Sequence, residues 1–229
     1  MPDIALRLAV FDCDGTLVDS QHSIIASMHA AFEHHGFEIP DAEAVRRVVG
    51  LPLDVAIRQL VPHVDVAYSE VVSETYKSAF YEMRQAGDVQ EPLFPGISGV
   101  LDNLDGAGWL MGVATGKSHR GLTATLHHHN LYERFVTHQT ADRALGKPAP
   151  DMMYKAMSET GAEAVDTIMI GDTTFDIEMA ANAGVRSIGV AWGYHQTQEL
   201  LDAGAACVVN HADDLTEALF DLASTKAGR

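Results

Sequence analysis

The chain has 229 residues, 47% of them hydrophobic and 21% charged, enough for one globular core and roughly half a domain more. Its 15 Lys and Arg stand against 32 Asp and Glu, a net charge of −17 that stays negative even with all 12 His protonated. That balance excludes a nucleic-acid backbone or an anionic membrane surface as the main partner.

Cys13 and Cys207 lie far apart and form neither a disulfide framework nor a metal cluster. The stretch Met1–Val10 contains Asp3 and Arg7 and runs into Asp12, unlike a signal peptide. No run approaches the roughly 18 apolar residues of a membrane span, so the expectation is a soluble, cytoplasmic protein.

Ala5–Phe11 is the first apolar run, about the length of a buried strand. From there to Trp109 no convincing strand occurs. Asp19–His35, Asp41–Val49, Leu53–Leu60 and Val66–Gln85 read as helices, separated by Gly36, Pro40, Gly50-Leu51-Pro52 and Pro62. A structureless loop of that length is improbable. The interval therefore predicts an all-helical insertion over 18–92, with Pro92 and Pro95-Gly96 marking the return to a core made of 1–17 and 93–229.

Beyond it, strands are predicted at Trp109–Ala114, Phe135–Gln139, Thr167–Ile170, Arg186–Ala191 and Ala206–Val209. Helices are predicted at Lys117–His129, Asp151–Thr160, Thr174–Ala183 and Ala212–Ala223, with Asn130, Gly161 and Gly184 placed for left-handed caps. The tail Ser224–Arg229 is expected to fray. This alternation predicts an α/β fold, a Rossmann-like parallel sheet with helices on both faces.

In such a sheet the site lies at the carboxyl ends of the strands. Asp12-Cys13-Asp14-Gly15-Thr16 follows the first run and Thr115-Gly116-Lys117 the second, while Gly171-Asp172, Thr173, Thr174 and Asp176 follow the fourth. Gly146-Lys147-Pro148 precedes the helix at Asp151. Crowded carboxylates repel unless a cation neutralises them. Hard oxygen donors without His or Cys at metal spacing point to Mg²⁺, which binds through one or two carboxylates plus substrate phosphate. The metal and Lys147 then supply positive charge locally in an acidic protein.

These residues resemble the haloacid dehalogenase-like hydrolases, through four separated motifs in the family's order. Asp12-Cys13-Asp14-Gly15-Thr16 is similar to the nucleophile motif, and Thr115 matches the phosphate-binding hydroxyl. Lys147 in Gly-Lys-Pro-Ala-Pro-Asp matches the motif lysine, and Gly171-Asp172 through Asp176 matches the metal motif. The helical insertion is similar to the cap of one subgroup. Phe11–Ser20 and Val49-Gly50-Leu51-Pro52 most resemble phosphoglycolate phosphatase-like members.

An acid at position 14, where dehalogenases of the family carry an aromatic residue and phosphonate-cleaving members a small one, implies phosphate-ester cleavage. The resemblance implies Asp12 as nucleophile, Asp14 as acid and base, Thr115 with the Gly116 N–H holding phosphoryl oxygens, and Lys147 stabilising charge. Asp12, the Asp14 carbonyl and Asp172 are the implied metal ligands. Asp176 either serves that metal site or complements a helix N-terminus. The implied substrate is a small phosphate monoester, phosphoglycolate-like or a sugar phosphate. The alternatives are a phosphomutase of the same family and, from another class, a phospho-aspartate receiver module, which is about half this length.

Other signals carry less. Met111–Ser118 misses the P-loop pattern G-x-x-x-x-G-K-[ST] at its first position. Strand alternation turns Cys13 away from Asp12 and Asp14. His127-His128-His129 cannot converge on one ion from a helix end, and His34-His35 reads the same way. Arg46-Arg47 is either a solvated face or a contact for a substrate anion. Trp192 is loop packing or a wall of the site.

Overall fold

The structure, a computed structural model, describes residues 6–225. Ala5, where the first predicted strand begins, and the last four residues of the predicted frayed tail lie outside the described residues. Six strands, β1 (Leu8–Phe11), β2 (Leu110–Thr115), β3 (Thr137–Thr140), β4 (Thr167–Gly171), β5 (Arg186–Val190) and β6 (Cys207–Val209), form one sheet in the order β3-β2-β1-β4-β5-β6. Every pairing is parallel, with Leu8 opposite both Leu110 and Thr167. β1 is apolar throughout because both its faces are covered. Chain order reverses beside it: β2 and β3 lie on one side and β4 to β6 on the other. A crevice opens at such a switch point, at the carboxyl ends of β1 and β4.

Alternation along β1 assigns its side chains to two layers. Ala9, Phe11 and Cys13 join the cluster formed with helices α5 (Ile97–Gly106), α6 (His119–His128) and α10 (Ala212–Ser224). Leu8 and Val10 join the cluster formed with α7 (Asp151–Thr160) and α8 (Thr174–Asn182).

Between β1 and α5 run α1 (Gln21–His34), α2 (Ala42–Val48), α3 (Leu53–Leu60) and α4 (Val66–Ala86). They pack around an apolar cluster of their own, including Ile24, Met28, Phe32, Val45, Ile57 and Val72. The chain leaves and re-enters the sheet layer side by side. Val18 bridges Leu93, the Asp19 N–H donates to the Pro92 carbonyl (2.8 Å) and the Phe94 N–H to the Leu17 carbonyl (3.0 Å).

Two helices have no counterpart in the sequence prediction. α5 reads Ile-Ser-Gly-Val-Leu-Asp-Asn-Leu-Asp-Gly, poor in helix formers, yet Ile97, Val100, Leu101 and Leu104 share one buried face. Burial outweighs the roughly 1 kcal/mol that each interior glycine costs. α9 (Thr197–Asp202) is six residues long and is held by a capping box between Gln196 and Glu199. β3 is displaced towards Thr140 because Phe135 ends a short 3₁₀ turn and packs edge-on against Phe11. Its polar side chains are satisfied instead by Glu159, which accepts from Thr137 Oγ1 and Gln139 Nε2. Asn130, Gly161 and Gly184 all have positive φ. Among the described residues no helix is long and apolar enough to cross a membrane.

Candidate active site

Asp12 directly follows β1, Asp172 follows β4, and Asp176 lies in the first turn of α8, so the switch point brings three acids together. All three are at most 1% exposed, and one oxygen of each lies within 4.8 Å of the others. Lys147, from the loop before α7, forms ion pairs from Nζ with Asp12 Oδ2 (2.8 Å) and Asp176 Oδ1 (2.6 Å).

The remaining carboxylate oxygens are anchored individually. Asp12 Oδ1 accepts from the Cys13 N–H (2.6 Å). Asp172 accepts from Thr16 Oγ1 (2.7 Å) and the Tyr194 N–H (2.9 Å). Asp176 Oδ2 accepts from the Thr173 N–H and Oγ1, so this residue caps α8 while its other oxygen meets Lys147. The helix-capping role open to Asp176 in the sequence is thus met.

Burial, followed by the charge of Asp176, pushes the Asp12 carboxyl up to about 7 against the pull of Lys147. Asp172 is held well above the ordinary carboxylate range by burial and by the charges of Asp12 and Asp176. Burial by itself would lower the Lys147 ammonium, but Asp12 and Asp176 more than reverse this and raise it. Three buried carboxylates against one buried ammonium leave a deficit of positive charge. The donors are all oxygens, with no His or Cys among them, which fits a hard divalent cation such as Mg²⁺.

Asp14 stands apart from this cluster. Its Oδ1 accepts from Lys117 Nζ (2.6 Å) and Ser20 Oγ (2.5 Å). Thr115, 1% exposed at the end of β2, accepts at Oγ1 from the Lys117 N–H (3.2 Å). Sequence reasoning placed Thr115-Gly116-Lys117 at this edge but assigned no role to Lys117 or Ser20. The available signal was proximity: one follows Thr115 by two residues, and the other begins the helix after the Asp14 motif.

Glycines allow the close packing here. Gly15 has φ +88°, and a Cβ on it would lie 2.3 Å from Asp172 Oδ2. Gly15→Ala is expected to cost about 1–3 kcal/mol by moving Asp172, checked by urea unfolding. A Cβ on Gly116 would come within 2.7 Å of the Gly50 carbonyl, and one on Gly146 within 2.3 Å of Pro52 Cγ. The turn Gly50-Leu51-Pro52 between α2 and α3 thus presses directly on the two loops that carry Thr115 and Lys147.

Above the carboxylates lies a cavity of about 910 Å³, lined by Asp12, Asp14 and Thr115 below and by side chains of α1 to α4 above. Neither arginine of the Arg46-Arg47 pair lines it. Arg46 pairs with Glu43 (2.9 Å), while Arg47 reaches across to α9 and grips both oxygens of Glu199 at 2.7 Å. Trp192 is packing: its indole N–H donates to the Thr16 carbonyl and its ring lies against Phe94. Cys13 is fully buried in the other layer, its thiol pushed well up by burial and by Asp14. The three consecutive histidines diverge, His127 stacking on Tyr132 and His129 bonding the Glu91 carbonyl. Leu110–Thr115 is strand, not a phosphate-cradling loop.

The sequence model of the family described as Haloacid dehalogenase-like hydrolase matches residues 9–190. "Probable phosphatase IndB" of Dickeya dadantii is 36% identical, over 94% of both chains. A phosphoglycolate phosphatase of Vibrio parahaemolyticus is 28% identical, over 93% of this chain and 95% of its own. The protein named Tyrosine-protein kinase PtkA in Mycobacterium tuberculosis is also 28% identical, over 95% of this chain and 74% of its own.

Proposed function

The chain belongs to the haloacid dehalogenase-like hydrolases, and from that premise we propose that it is a magnesium-dependent phosphatase. In this reading it cleaves a small phosphate monoester through an aspartyl phosphate on Asp12. The observation that carries the reading is the convergence of Asp12, Asp172 and Asp176, with Lys147 paired to the first and last of them, beside a second acid, Asp14, with partners of its own.

Asp12, the Asp14 carbonyl and Asp172 would hold the cation, with Asp176 beside them. When bound, it offsets the negative charge that otherwise keeps a carboxylate nucleophile and a phosphate apart. Asp12 attacks phosphorus in line; the P–O bond to the alcohol breaks, and its electron pair leaves on the alcohol oxygen. Asp14 delivers a proton to that oxygen. It then takes one from the water that attacks phosphorus and breaks the bond to Asp12, releasing phosphate. Thr115 Oγ1 and the Gly116 N–H hold phosphoryl oxygens through both steps, and Lys147 keeps Asp12 ionised and oriented. Residues 18–92 form the cap and 1–17 with 93–229 the core in this reading. The Gly50-Leu51-Pro52 turn is the part of the cap that excludes water from Thr115 and Lys147.

Phosphate release from a panel of monoesters, without any nucleotide, tests the activity. Transfer of phosphate from ATP to tyrosine in place of hydrolysis would count against it. The cation has its own readout. Mg²⁺ at a hundred times its dissociation constant is expected to stabilise the fold by about 2.7 kcal/mol, seen as a rise in Tm that EDTA reverses. A Tm indifferent to Mg²⁺ would contradict the assigned ligands.

A further inference from the structure

We infer that the alcohol this enzyme releases is uncharged and larger than a two-carbon hydroxy acid, with an apolar face that packs against Tyr76 and Phe80. The inference rests on the phosphatase reading above and narrows its substrate class.

Size is the first argument. The cavity of about 910 Å³ lies near the upper end of small-molecule sites, which run from roughly 300 to 1,000 Å³. A two-carbon leaving group would occupy the space next to Asp14 and leave most of the cap wall in contact with water. Much of that wall is apolar: Ile24, Met28, Val45 and Val48 line the cavity together with Tyr76 and Phe80. Burying such a surface against a ligand is favourable in proportion to the apolar area covered, a gain a two-carbon acid cannot collect.

Charge is the second argument, and it is independent of size. Of the cations lining the cavity, Lys117 is bound to Asp14 at 2.6 Å, Arg84 to Glu91 at 2.7 Å and Lys77 to Glu74 at 2.6 Å. Lys117 and Arg84 also lie over the Phe80 ring, 5.3 and 5.6 Å from its centre. Arg120 is the one lining cation without a carboxylate partner among the described residues; it is exposed and lies over the Tyr81 ring at 5.2 Å. Glu70 and Asp142 add negative charge to the same walls. Arg120 at the exposed rim aside, a carboxylate on the leaving group would therefore meet acids and cations that are already paired, and desolvating it without a partner is costly.

The test compares kcat/KM at fixed Mg²⁺ for three esters: phosphoglycolate, 2-hydroxyethyl phosphate and benzyl phosphate. The alcohols released from the first two match in size and differ in charge; those from the last two are both uncharged and differ in apolar area. The expected order is benzyl over hydroxyethyl by on the order of 10² and hydroxyethyl over phosphoglycolate by about tenfold or more. Phe80→Ala is expected to shrink the benzyl-to-hydroxyethyl ratio about tenfold, the ratio being read within one variant so that a loss of folded protein cancels. Inhibition of the unmodified enzyme by benzylphosphonate against phosphonoacetate reads charge and apolar area together without mutation, the first binding tighter. Phosphoglycolate cleaved as well as or better than 2-hydroxyethyl phosphate would overturn the substrate class alone, as would a preference for it that Arg120→Gln abolishes. No phosphate released from any of the three would overturn the phosphatase reading, and this inference with it.

Discussion

Asp12→Asn is expected to lower phosphate release by at least about 10⁴-fold, the scale on which loss of a covalent nucleophile is felt, while leaving the fold intact. The amide keeps the oxygen that accepts from the Cys13 N–H, and Lys147 keeps Asp176. One buried negative charge disappears from a site that has too many, and burial already holds that carboxyl up at about 7. The lost contact with Lys147 is thereby offset, and Tm is expected to stay within a few degrees of the parent. A rate fall with an unchanged melt identifies a chemical role for Asp12; normal turnover would remove the nucleophile from the account.

Lys147→Met is expected to do the opposite to stability. The Lys147 side chain is 0% exposed and, among the described residues, is the only basic group paired with Asp12 and Asp176. Without it, two buried carboxylates face each other uncompensated. Removing one partner of a buried ion pair costs about 3–5 kcal/mol, which in a chain of this size lowers Tm by roughly 10 °C. Activity is expected to fall by on the order of 10²–10³. Mg²⁺ is expected to recover part of the lost Tm, because a cation among the carboxylates replaces some of the missing positive charge. A variant that melts like the parent without Mg²⁺ would show that the acids are not charged together in the folded protein.

The parts of the molecule legible in the sequence are those where a short segment carries its own signal. β1 and the site acids are legible because a central parallel strand must be apolar and its carboxyl end is where polar residues gather. Leu53–Leu60 and Asp151–Thr160 are legible to the residue because proline or glycine bounds them. α5 was not legible: two glycines, two aspartates and an asparagine conceal a face that only the sheet makes worth burying. The pairings Lys117–Asp14 and Arg47–Glu199 join residues more than a hundred positions apart. Such contacts depend on how the cap helices and core loops meet, and no local pattern encodes that. For the same reason the sequence kept open whether Arg47 meets a substrate anion, whereas α9 supplies Glu199 as its partner.

The central claim is a covalent phosphoryl group on Asp12. The direct measurement is to mix the Asp14→Asn variant with Mg²⁺ and an ester of a strongly acidic alcohol, which needs no proton to leave. The reaction is then quenched with borohydride and the peptides are read by mass spectrometry. In the proposed mechanism Asp14 also activates the water, so the variant is expected to accumulate the acyl phosphate. Asp12 should then be recovered as homoserine, and only when the ester is present. Turnover with Asp12 unmodified, or a phosphoryl group trapped on any other residue, would contradict the account.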